Sequence, residues 1–433
     1  MTPEVKERIE QIQHGIVPEG YKRTKAGIVP IEWEEVRIGD VLTQRKTLQC
    51  ISEDAPLLSF TIEEGVIDPV DKKSNKRDFL IKDMANKKFA LTEVGDIIYN
   101  PANLKFGAIH RNNLCRGVVS PIYGIFYGKQ DSVFMGYLLH NQRFIDYAKI
   151  YTEGTVEKLK TLKADTFLKL KITLPPIDEQ RRIAEILSSQ DKMIKLREEK
   201  IELLQHFKKV YLSKLFPKAG ESAPKWRFPE HKTAWEWCKF DKCVSRIATG
   251  LNPRDNFQLN VGGKNYYVTI KNFEHGHLYL DDKCDRIDDC AMKKIQTRSD
   301  LQKDDILFAS IGRVGDCYLI QSKPTNWNIN ESVFTLRPNK TRVVPEYLFH
   351  TIQSSIVLSQ ILNSITGSTF KSIKIGDLKN AVIPVPEKEE QEKIGALITN
   401  LDQLIILNQR ELAEAKKHKE SLMQLLLTGI VRT

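Results

Sequence analysis

Two short turns combine glycine, a hydroxyl side chain and a nearby lysine, a set of residues that can hold a phosphate group. Gly154-Thr155 precedes Lys158 in the first half of the sequence, and Gly367-Ser368-Thr369 precedes Lys371 in the second. Free backbone N–H groups and hydroxyls at a helix entry donate to phosphate oxygens, and lysine adds positive charge. An ordinary helix N-cap uses the same residue types. The recurrence of the pattern favours contacts with a nucleic-acid backbone.

A second group of residues could read base edges. Arg313 lies in the turn Gly312-Arg313-Val314-Gly315, at the predicted tip of a hairpin, where an arginine could donate two hydrogen bonds to guanine. The basic candidates in the first half are Lys105, His110 and Arg111, and Arg254 is a further candidate in the second. For any single one of them, a solvated surface charge is the alternative interpretation. The pattern therefore predicts DNA-binding positions without assigning bases.

The residues required for catalysis are not found, so no catalytic residue is predicted. Asn100-Pro101 resembles the start of an amino-methyltransferase motif, but Ala102-Asn103 replaces the proline and aromatic residue that should follow. Gly263-Lys264 is not a P-loop, because Gln258 stands at the first glycine and Asn265 at the Ser/Thr position. The sequence also contains neither HExxH nor GxSxG.

The cysteines predict neither a disulfide framework nor a metal site. They are odd in number and form no CxxC pair: Cys50, Cys115, Cys238, Cys243, Cys284, Cys290 and Cys317. Four of them, with His275 and His277, could be assembled into a zinc site, but their spacings of five and six are looser than a zinc knuckle. Packing cysteines in a reducing compartment are the favoured interpretation.

Composition narrows the class of protein. The chain has 433 residues, 66 Lys and Arg against 56 Asp and Glu, and a formal charge of +10. This excess suits an anionic partner such as nucleic acid. The mean hydropathy is negative, no apolar run could span a bilayer, and the first residues lack the apolar stretch of a signal peptide. We expect a soluble, cytoplasmic protein with more than one domain.

The elements that must position these residues are duplicated. Tyr137–His140 matches Tyr347–His350 at a shift of 210, and Leu168, Ile172 and Pro176 match Leu378, Val382 and Pro386 at the same shift. PPIDEQRRIAEIL then matches VPEKEEQEKIGALI, with one residue inserted before the Gln, and a Trp-Glu step opens each half at Trp33 and Trp235. Matches in one order over the whole chain indicate an internal repeat.

Each half has the same predicted plan. About 150 residues of short strands and turns lead into helices and then into one long charged helix. Apolar residues recur at three- and four-residue steps in both long helices, with matching interruptions at Lys208 and Lys419. Two independent surface helices are possible, but equal length and phase favour an antiparallel coiled-coil pair acting as a spacer. The predicted segments are a lead-in (1–27), two globular domains (28–177 and 218–388) and two long helices (178–217 and 389–433).

With these features, the chain resembles the specificity (S) subunit of type I restriction–modification enzymes. The resemblance covers nearly the whole sequence. It rests on PPIDEQRRIAEI and its degenerate partner PVPEKEEQEKIGALI, on the domain openings GYKRTKAGIVPIEWEEVRIGDV and WRFPEHKTAWEW, and on the turns FASIGRVGD and ITGSTFKSI. The second copy departs from the Pro-Pro-x-x-Glu-Gln form of the first.

The resemblance implies an α+β fold with two target recognition domains separated by the helices. Each domain would read one half of a bipartite DNA site, and the two half-sites would differ. Two methyltransferase subunits would dock on the helices, and restriction subunits would join them. The partner-binding residues implied are Pro176, Glu179 and Gln180 with Pro386, Glu390 and Gln391. The chain itself would hold no cofactor, because S-adenosylmethionine, ATP and Mg²⁺ would bind to the partners.

Three alternatives stay open on sequence alone. The first is a stand-alone methyltransferase or nuclease, which the missing motifs disfavour. The second is an interaction scaffold without a nucleic-acid role, which the charge and the basic turns disfavour. The third is the recognition subunit of a related multi-subunit methylation or restriction system.

Overall fold

The structure, a computed structural model, describes residues 2–24, 27–71, 87–153, 161–274, 276–365 and 372–433. The α-helices in these ranges are α1 (Pro3–Gln13), α2 (Ile38–Val41), α3 (Ser132–His140), α4 (Gln142–Lys149), α5 (Ala164–Lys169), α6 (Ile177–Lys214), α7 (Phe240–Cys243), α8 (Asp289–Ser299), α9 (Pro345–Gln353), α10 (Ser355–Asn363), α11 (Ile375–Asn380) and α12 (Lys388–Leu426).

The strands in the same ranges are short. They are β1 (Tyr21–Thr24), β2 (Gly27–Pro30), β3 (Glu34–Arg37), β4 (Leu42–Gln44), β5 (Leu48–Gln49), β6 (Ser59–Thr61), β7 (Gly65–Ile67), β8 (Phe89–Thr92), β9 (Ile97–Tyr99), β10 (Ile109–Arg111), β11 (Gly117–Val119), β12 (Gly124–Gly128), β13 (Lys171–Leu174), β14 (Glu236–Lys239), β15 (Val244–Thr249), β16 (Asn265–Val268), β17 (Phe273–Glu274), β18 (His277–Leu278), β19 (Arg286–Ile287), β20 (Ile306–Ala309), β21 (Cys317–Leu319), β22 (Trp327–Ile329), β23 (Val333–Pro338) and β24 (Val382–Val385).

The chain divides into two compact units. Unit 1 comprises Met1–Leu196 and Leu412–Thr433, and unit 2 comprises Arg197–Glu411. Each unit therefore contains a mixed α+β domain, one part of α6 and one part of α12. This division differs from the five predicted segments, because each long helix packs partly with one domain and partly with the other.

Unit 1 is built around two antiparallel sheets. One has the strand order β10-β9-β12-β4 and the other β11-β8-β5, while β13 pairs with β3 beside them. Large apolar side chains from strands and helices fill the core, namely Trp33, Tyr99, Phe126, Phe134 and Phe167. The rings of Tyr99 and Phe167 stack with their centroids 4.9 Å apart. The near-continuous apolar strand β9 is buried along its whole length, as its sequence predicts.

Unit 2 repeats this plan with its own side chains. Its four-stranded sheet has the order β15-β23-β20-β21, so β20 and β21 correspond to β9 and β10 of unit 1. A second sheet, β19-β16-β22, contains the parallel pair β16–β22, and β14 pairs with β24. The mixed α+β class and the internal repeat, both predicted from sequence, are confirmed.

The structure corrects the register of the repeat near the start of the long helices. Nε2 of Gln180 donates to the carbonyl of Pro175, and Nε2 of Gln391 to that of Pro386, both at 2.9 Å. Pro386 therefore corresponds to Pro175 and not to Pro176. No residue is inserted before Gln391, and equivalent residues here are 211 apart.

The predicted match of the helices α3 and α9 is wrong by one helical turn. The backbone N–H of Asp131 donates to Gln180 at 3.2 Å, and that of Val344 to Gln391 at 2.9 Å. Tyr137 contacts the hydroxyl of Ser188 on α6, and His350 contacts the hydroxyl of Thr399, the equivalent residue on α12. Tyr137 therefore corresponds to His350. A three-residue shift keeps the same face of a helix, so the apolar pattern matched in both registers.

The long helices bury the predicted apolar stripe. Helix α6 has 38 residues and α12 has 39, which corresponds to about 57 Å for each. The buried members of the stripe are Ile183, Leu187, Ile201, Leu215, Ile394, Ile398, Leu401, Ile405 and Leu426. Their burial confirms the predicted phase of both helices.

Ion pairs link the two helices within each unit. In unit 2, Lys208 pairs with Asp402 at 2.7 Å and Arg197 pairs with Glu411. In unit 1, Lys419 pairs with Asp191. In unit 2, the later residue of α6 pairs with the earlier residue of α12, so the two helices run antiparallel there. The two lysines that interrupt the apolar stripe therefore carry the equivalent ion pair of each unit.

Candidate nucleic-acid interface

The turn between β9 and β10 forms a basic and aromatic tip in unit 1. Lys105 lies in a 3₁₀ turn (Leu104–Phe106), with its Nζ 5.3 Å from the ring centroid of Phe106. Gly107 closes the turn with φ +89°, a conformation that favours glycine. The Phe106 side chain is 63% exposed. Phe106 was missed from sequence, although an aromatic between lysine and glycine in a predicted turn was a usable signal.

His110 follows this turn on β10 and is held inside unit 1. Its Nε2 donates to the carbonyl of Ile62 at 2.7 Å, and its ring lies 4.3 Å from that of His140, centroid to centroid. Burial and the neighbouring His140 together lower the pKa of His110 to about 4, although the hydrogen bond to Ile62 opposes the shift. A neutral ring with a committed Nε2–H brings no charge to a phosphate. At neutral pH His110 would contact DNA without a charge, and its role in DNA binding stays a prediction.

This buried histidine predicts a pH-dependent stability of unit 1. Its stabilising contribution is fully present above the unfolded pKa of about 6.5 and is lost as pH falls through about 4. Between pH 6.5 and 4, we expect the free energy of unfolding of His110→Gln to fall by about 2 kcal/mol less than that of the wild type. Urea denaturation at several pH values measures this, with the exposed His14→Gln as a control. Equal pH profiles for wild type and His110→Gln would contradict it.

Arg111, next on β10, lines a groove of about 1620 Å³ in unit 1. Its Nε donates to Ser132 at 3.0 Å and its Nη1 to Asn113, while burial lowers the pKa of the guanidinium. The groove also contains Gly136, Arg143 and Lys419. Arg111 is therefore positioned by unit 1 itself, and its contact with DNA stays a prediction.

Arg313 has a different role from the one expected. Its Nη2 donates to the carbonyls of Ile270 and Phe273, both at 2.8 Å, and its Nε lies 3.0 Å from Asp316. A bidentate guanine contact needs two neighbouring N–H groups of the guanidinium, and these contacts occupy Nε and Nη2. The expected guanine contact is therefore corrected: Arg313 joins the β20–β21 turn to the loop before β17.

The remaining DNA-binding candidates stay predictions. Arg254 is exposed in a turn of unit 2, and its contact with DNA stays a prediction. The two glycine–hydroxyl turns lie outside the described residues, namely Gly154, Thr155, Lys158, Gly367, Ser368, Thr369 and Lys371. Described residues next to these turns are held by backbone hydrogen bonds. Glu153 and Thr161 exchange two of 2.9 Å, and the N–H of Ile373 donates to the carbonyl of Ser310 at 2.9 Å.

A buried carboxylate lies at the start of each long helix. Glu179 accepts hydrogen bonds from Trp33 at 3.2 Å and from Nε and Nη2 of Arg432 at 2.6 and 2.9 Å. Glu390 accepts the equivalent set from Trp235 at 3.1 Å and from Arg227 at 2.8 and 2.9 Å. We call these the Arg–Glu–Trp clusters of units 1 and 2. Each joins the helix, the domain opening and the segment after the other long helix.

These contacts correct the predicted partner-binding residues. Glu179, Gln180, Glu390 and Gln391 are at most 2% exposed, and their polar atoms are bonded within their own units. Pro386 is buried as well, whereas Pro176 is exposed and its contact with a partner stays a prediction. These side chains therefore anchor each domain on its helix, through the contacts of the Arg–Glu–Trp clusters.

The long helices also carry an exposed apolar stripe. Met193 and Leu196 lie on α6 in unit 1, and their equivalents Leu404 and Leu407 lie on α12 in unit 2. All four side chains are about half exposed, from 46% to 55%. The stripe is offset by about 100° from the buried one, which is the arrangement of a helix with neighbours on two sides. Sequence analysis missed it, although the second set of three- and four-residue spacings was present.

The acidic cluster of unit 2 does not suit a metal ion. His231, Glu387 and Glu390 offer ligand atoms within 4.8 Å of one another. Arg227 already donates to both oxygens of Glu390, and Nζ of Lys393 lies 3.3 Å from Nε2 of His231. Positive side chains beside Glu390 and His231 oppose a cation. The group is an ion-pair network.

The cysteine surroundings favour packing over metal binding. Cys238 and Cys243 lie in one hydrophobic cluster, and burial raises the pKa of Cys243 to about 12. The Cys284 thiol donates to the carbonyl of Tyr279 at 3.3 Å, while Cys290 is exposed. Of the two histidines in the zinc alternative, His275 lies outside the described residues. A thiol with a raised pKa is a poor metal ligand because the thiolate is the binding form.

Comparison with known proteins identifies the family of this chain. The family model described as the type I restriction modification DNA specificity domain matches residues 30–206 and 244–417. The chain belongs to this family. One matched segment falls in each half of the repeat, so the family's DNA specificity domain is present twice. Over the described residues, no helix is long and apolar enough to cross a membrane.

Curated members of the specificity family match most of the chain. The type I restriction enzyme MjaVIII specificity subunit of Methanocaldococcus jannaschii is 24% identical over 444 residues, covering 96% of this chain and 96% of that protein. The EcoKI specificity subunit of Escherichia coli K12 is 26% identical over 294 residues, covering 64% of this chain and 61% of that protein.

Solved structures share the fold. The S subunit of the type I restriction–modification system from M. genitalium matches with a TM-score of 0.57 and 15% identity, covering 91% of this chain and 96% of that one. A chain from a study of type I assembly and conformational transition matches with a TM-score of 0.52 and 16% identity, covering 93% and 99%. The specificity fold, with its two related halves, is thus the fold of this chain.

Proposed function

We propose that this chain reads a bipartite, asymmetric DNA site as the non-catalytic recognition subunit of a type I restriction–modification complex. One observation carries the proposal. The four-stranded sheets of the two units have the same strand order, but the equivalent turns of these sheets carry different side chains. Lys105 and Phe106 occupy the turn after β9, and Arg313 occupies the turn after β20. Two related domains with different turns suit two different half-sites.

DNA contact would combine charge with base reading. The +10 charge and the phosphate-binding candidates would supply affinity that depends on salt. In unit 1, the exposed Phe106 beside Lys105 suits contact with a base or sugar next to a phosphate. In unit 2, Arg313 would act by positioning the turn and the loop before β17, so its effect on specificity would pass through those backbones.

The long helices would serve as the spacer and as the docking site. An antiparallel coiled coil of fixed length holds two reading domains at a fixed separation, as in proteins that read paired half-sites. Two methyltransferase subunits would dock on the exposed stripes around Leu196 and Leu407. Restriction subunits would join the complex, and S-adenosylmethionine, ATP and Mg²⁺ would belong to the partners. The chain itself would hold no cofactor.

An experiment with and without the methyltransferase tests this function. The purified chain alone, incubated with labelled S-adenosylmethionine and mixed-sequence DNA, is expected to give no methylation and no cleavage. With its methyltransferase partner, we expect methylation at one bipartite sequence and a binding constant that falls as salt increases. Methylation by the chain alone would support a stand-alone methyltransferase. Partner-dependent methylation without any sequence preference would contradict the recognition role.

A further inference from the structure

Each unit's pair of long helices has an exposed face, which we call its outer face. Four equivalent positions make up this face in each unit, and the two units differ at two of them. The helix register set by Lys419–Asp191 in unit 1 puts Glu414 level with Leu196, and His418 level with Met193. Glu414 and His418 are both exposed. The outer face of unit 1 therefore alternates apolar with polar side chains across the helix pair.

The outer face of unit 2 is apolar at all four positions. The register set by Lys208–Asp402 puts Leu203 level with Leu407, and Phe207 level with Leu404. Leu203 is 53% exposed and Phe207 is 43% exposed. Leu203 and Phe207 stand where unit 1 has Glu414 and His418, so the helix pair of unit 2 presents a continuous apolar surface.

We propose that the two units bind two copies of one helical methyltransferase segment with unequal affinity, and that unit 2 is the tighter site. This inference rests on the proposed function, because it assigns the partner of the same helices. The shared positions Met193/Leu404 and Leu196/Leu407 provide the contact that both copies make. Leu203 and Phe207 add apolar contact to one copy.

A helical segment suits this surface, because the four positions of each unit lie on one face of a helix pair, on which a third helix can pack. A third helix packed against this pair would place its own apolar stripe on the four positions, as in helix bundles. The two partner copies are identical, so the same partner side chain must meet Leu203 in one complex and Glu414 in the other. Lys or Arg satisfies both, because its aliphatic stem packs on leucine and its charged end pairs with a carboxylate.

The size of the asymmetry follows from the two extra side chains. Partial burial of one leucine and one phenylalanine is expected to make the dissociation constants of the two sites differ by about ten- to a hundredfold. A complex with one methyltransferase should therefore be populated during a titration. Both sites should still fill at high partner concentration, because the shared positions are the same in each unit.

Exchange of the differing residues between the units tests the proposal. Leu203→Glu with Phe207→His gives unit 2 the outer face of unit 1, and Glu414→Leu with His418→Phe does the reverse. Each variant of the full chain is titrated with its methyltransferase subunit, and native mass spectrometry measures the 1:1 and 1:2 complexes. We expect the wild type to accumulate the 1:1 complex. Both double variants should approach the distribution of two equal sites, the first by weakening unit 2 and the second by strengthening unit 1.

The outcomes separate this inference from the proposed function. A wild type that fills two equal sites, or a 1:1 population unchanged in both variants, overturns the asymmetry while leaving the proposed function intact. The absence of methyltransferase binding by every chain overturns both. Self-association of the chain alone that is lost in Leu203→Glu/Phe207→His would assign the surface to a second copy instead. Because all four residues are exposed, circular dichroism and unfolding midpoints should stay close to wild type and confirm folding.

Discussion

Arg227→Ala is expected to lower the free energy of unfolding of unit 2 by about 3–5 kcal/mol, because it leaves the Glu390 carboxylate buried without its charged partner. Glu390 is fully buried, and Arg227 is only 14% exposed, so water cannot replace the lost contact. Urea denaturation measures the loss, and hydrogen–deuterium exchange assigns it to unit 2.

Three further variants test whether the loss of stability belongs to the buried ion pair or to the removal of any charge. Lys379→Ala removes a surface ion pair of the same unit, 2.8 Å from Asp241, and should cost less than about 1 kcal/mol. Arg227→Lys should recover only part of the stability, since an ammonium cannot donate to both oxygens in the planar geometry of arginine. Arg432→Ala should destabilise unit 1 less than Arg227→Ala destabilises unit 2, because Arg432 is 37% exposed. Equal, small effects of Arg227→Ala and Lys379→Ala would contradict the role of the cluster.

Removal of seven residues from each long helix should shorten the DNA spacer and keep both half-sites. Deletion of Ile194–Lys200 with Ile405–Glu411 preserves the phase of the buried stripe and removes Arg197 together with its partner Glu411. The pairs Lys208–Asp402 and Lys419–Asp191 keep their register in the shortened helices. The loss of roughly 10 Å corresponds to about three base steps. The same deletion removes the proposed docking residues Leu196 and Leu407, whose helix positions pass to Leu203 and Glu414, so the methyltransferase is supplied in excess. Sequencing of DNA methylation in cells carrying the variant and its partners measures the new spacer.

A deletion of the wrong length provides the control. Removal of five residues from each helix, Ile194–Glu198 with Ile405–Gln409, also deletes an ion-pair partner of Glu411 but rotates the following residues by about 140°, out of the buried stripe. We expect this variant to lose methylation. An active seven-residue variant that keeps the original spacer would show that the helices do not set the separation.

The repeat and the helix phase could be predicted because they depend on local spacing. Lys208 and Lys419 occupy matching positions in two apolar patterns, and each proves to form the equivalent ion pair of its unit. The side-chain register of α3 could not be predicted in the same way. Tyr137 corresponds to His350, and a turn-by-turn apolar pattern does not distinguish shifts of one helical turn.

The errors at the candidate site have a common physical cause. Glu179 and Arg313 are charged residues that sequence reasoning placed at a surface, and each is engaged by groups distant in sequence. The guanidinium that reaches Glu179 comes from a residue 253 positions away. Spacing along the chain predicts which helix face or turn a residue occupies, but not which distant segment covers it. The exposed turn at Phe106 depends on local geometry and was within reach of prediction.

The Arg–Glu–Trp cluster of unit 1 has a consequence for the order of folding during synthesis. Trp33 and Glu179 leave the ribosome early, but Arg432 follows only after every residue of unit 2 has been made. Unit 2 contains all three members of its own cluster within one continuous stretch. The domain that is translated first is therefore completed last, and until then it presents an uncapped carboxylate to the nascent chain and its chaperones.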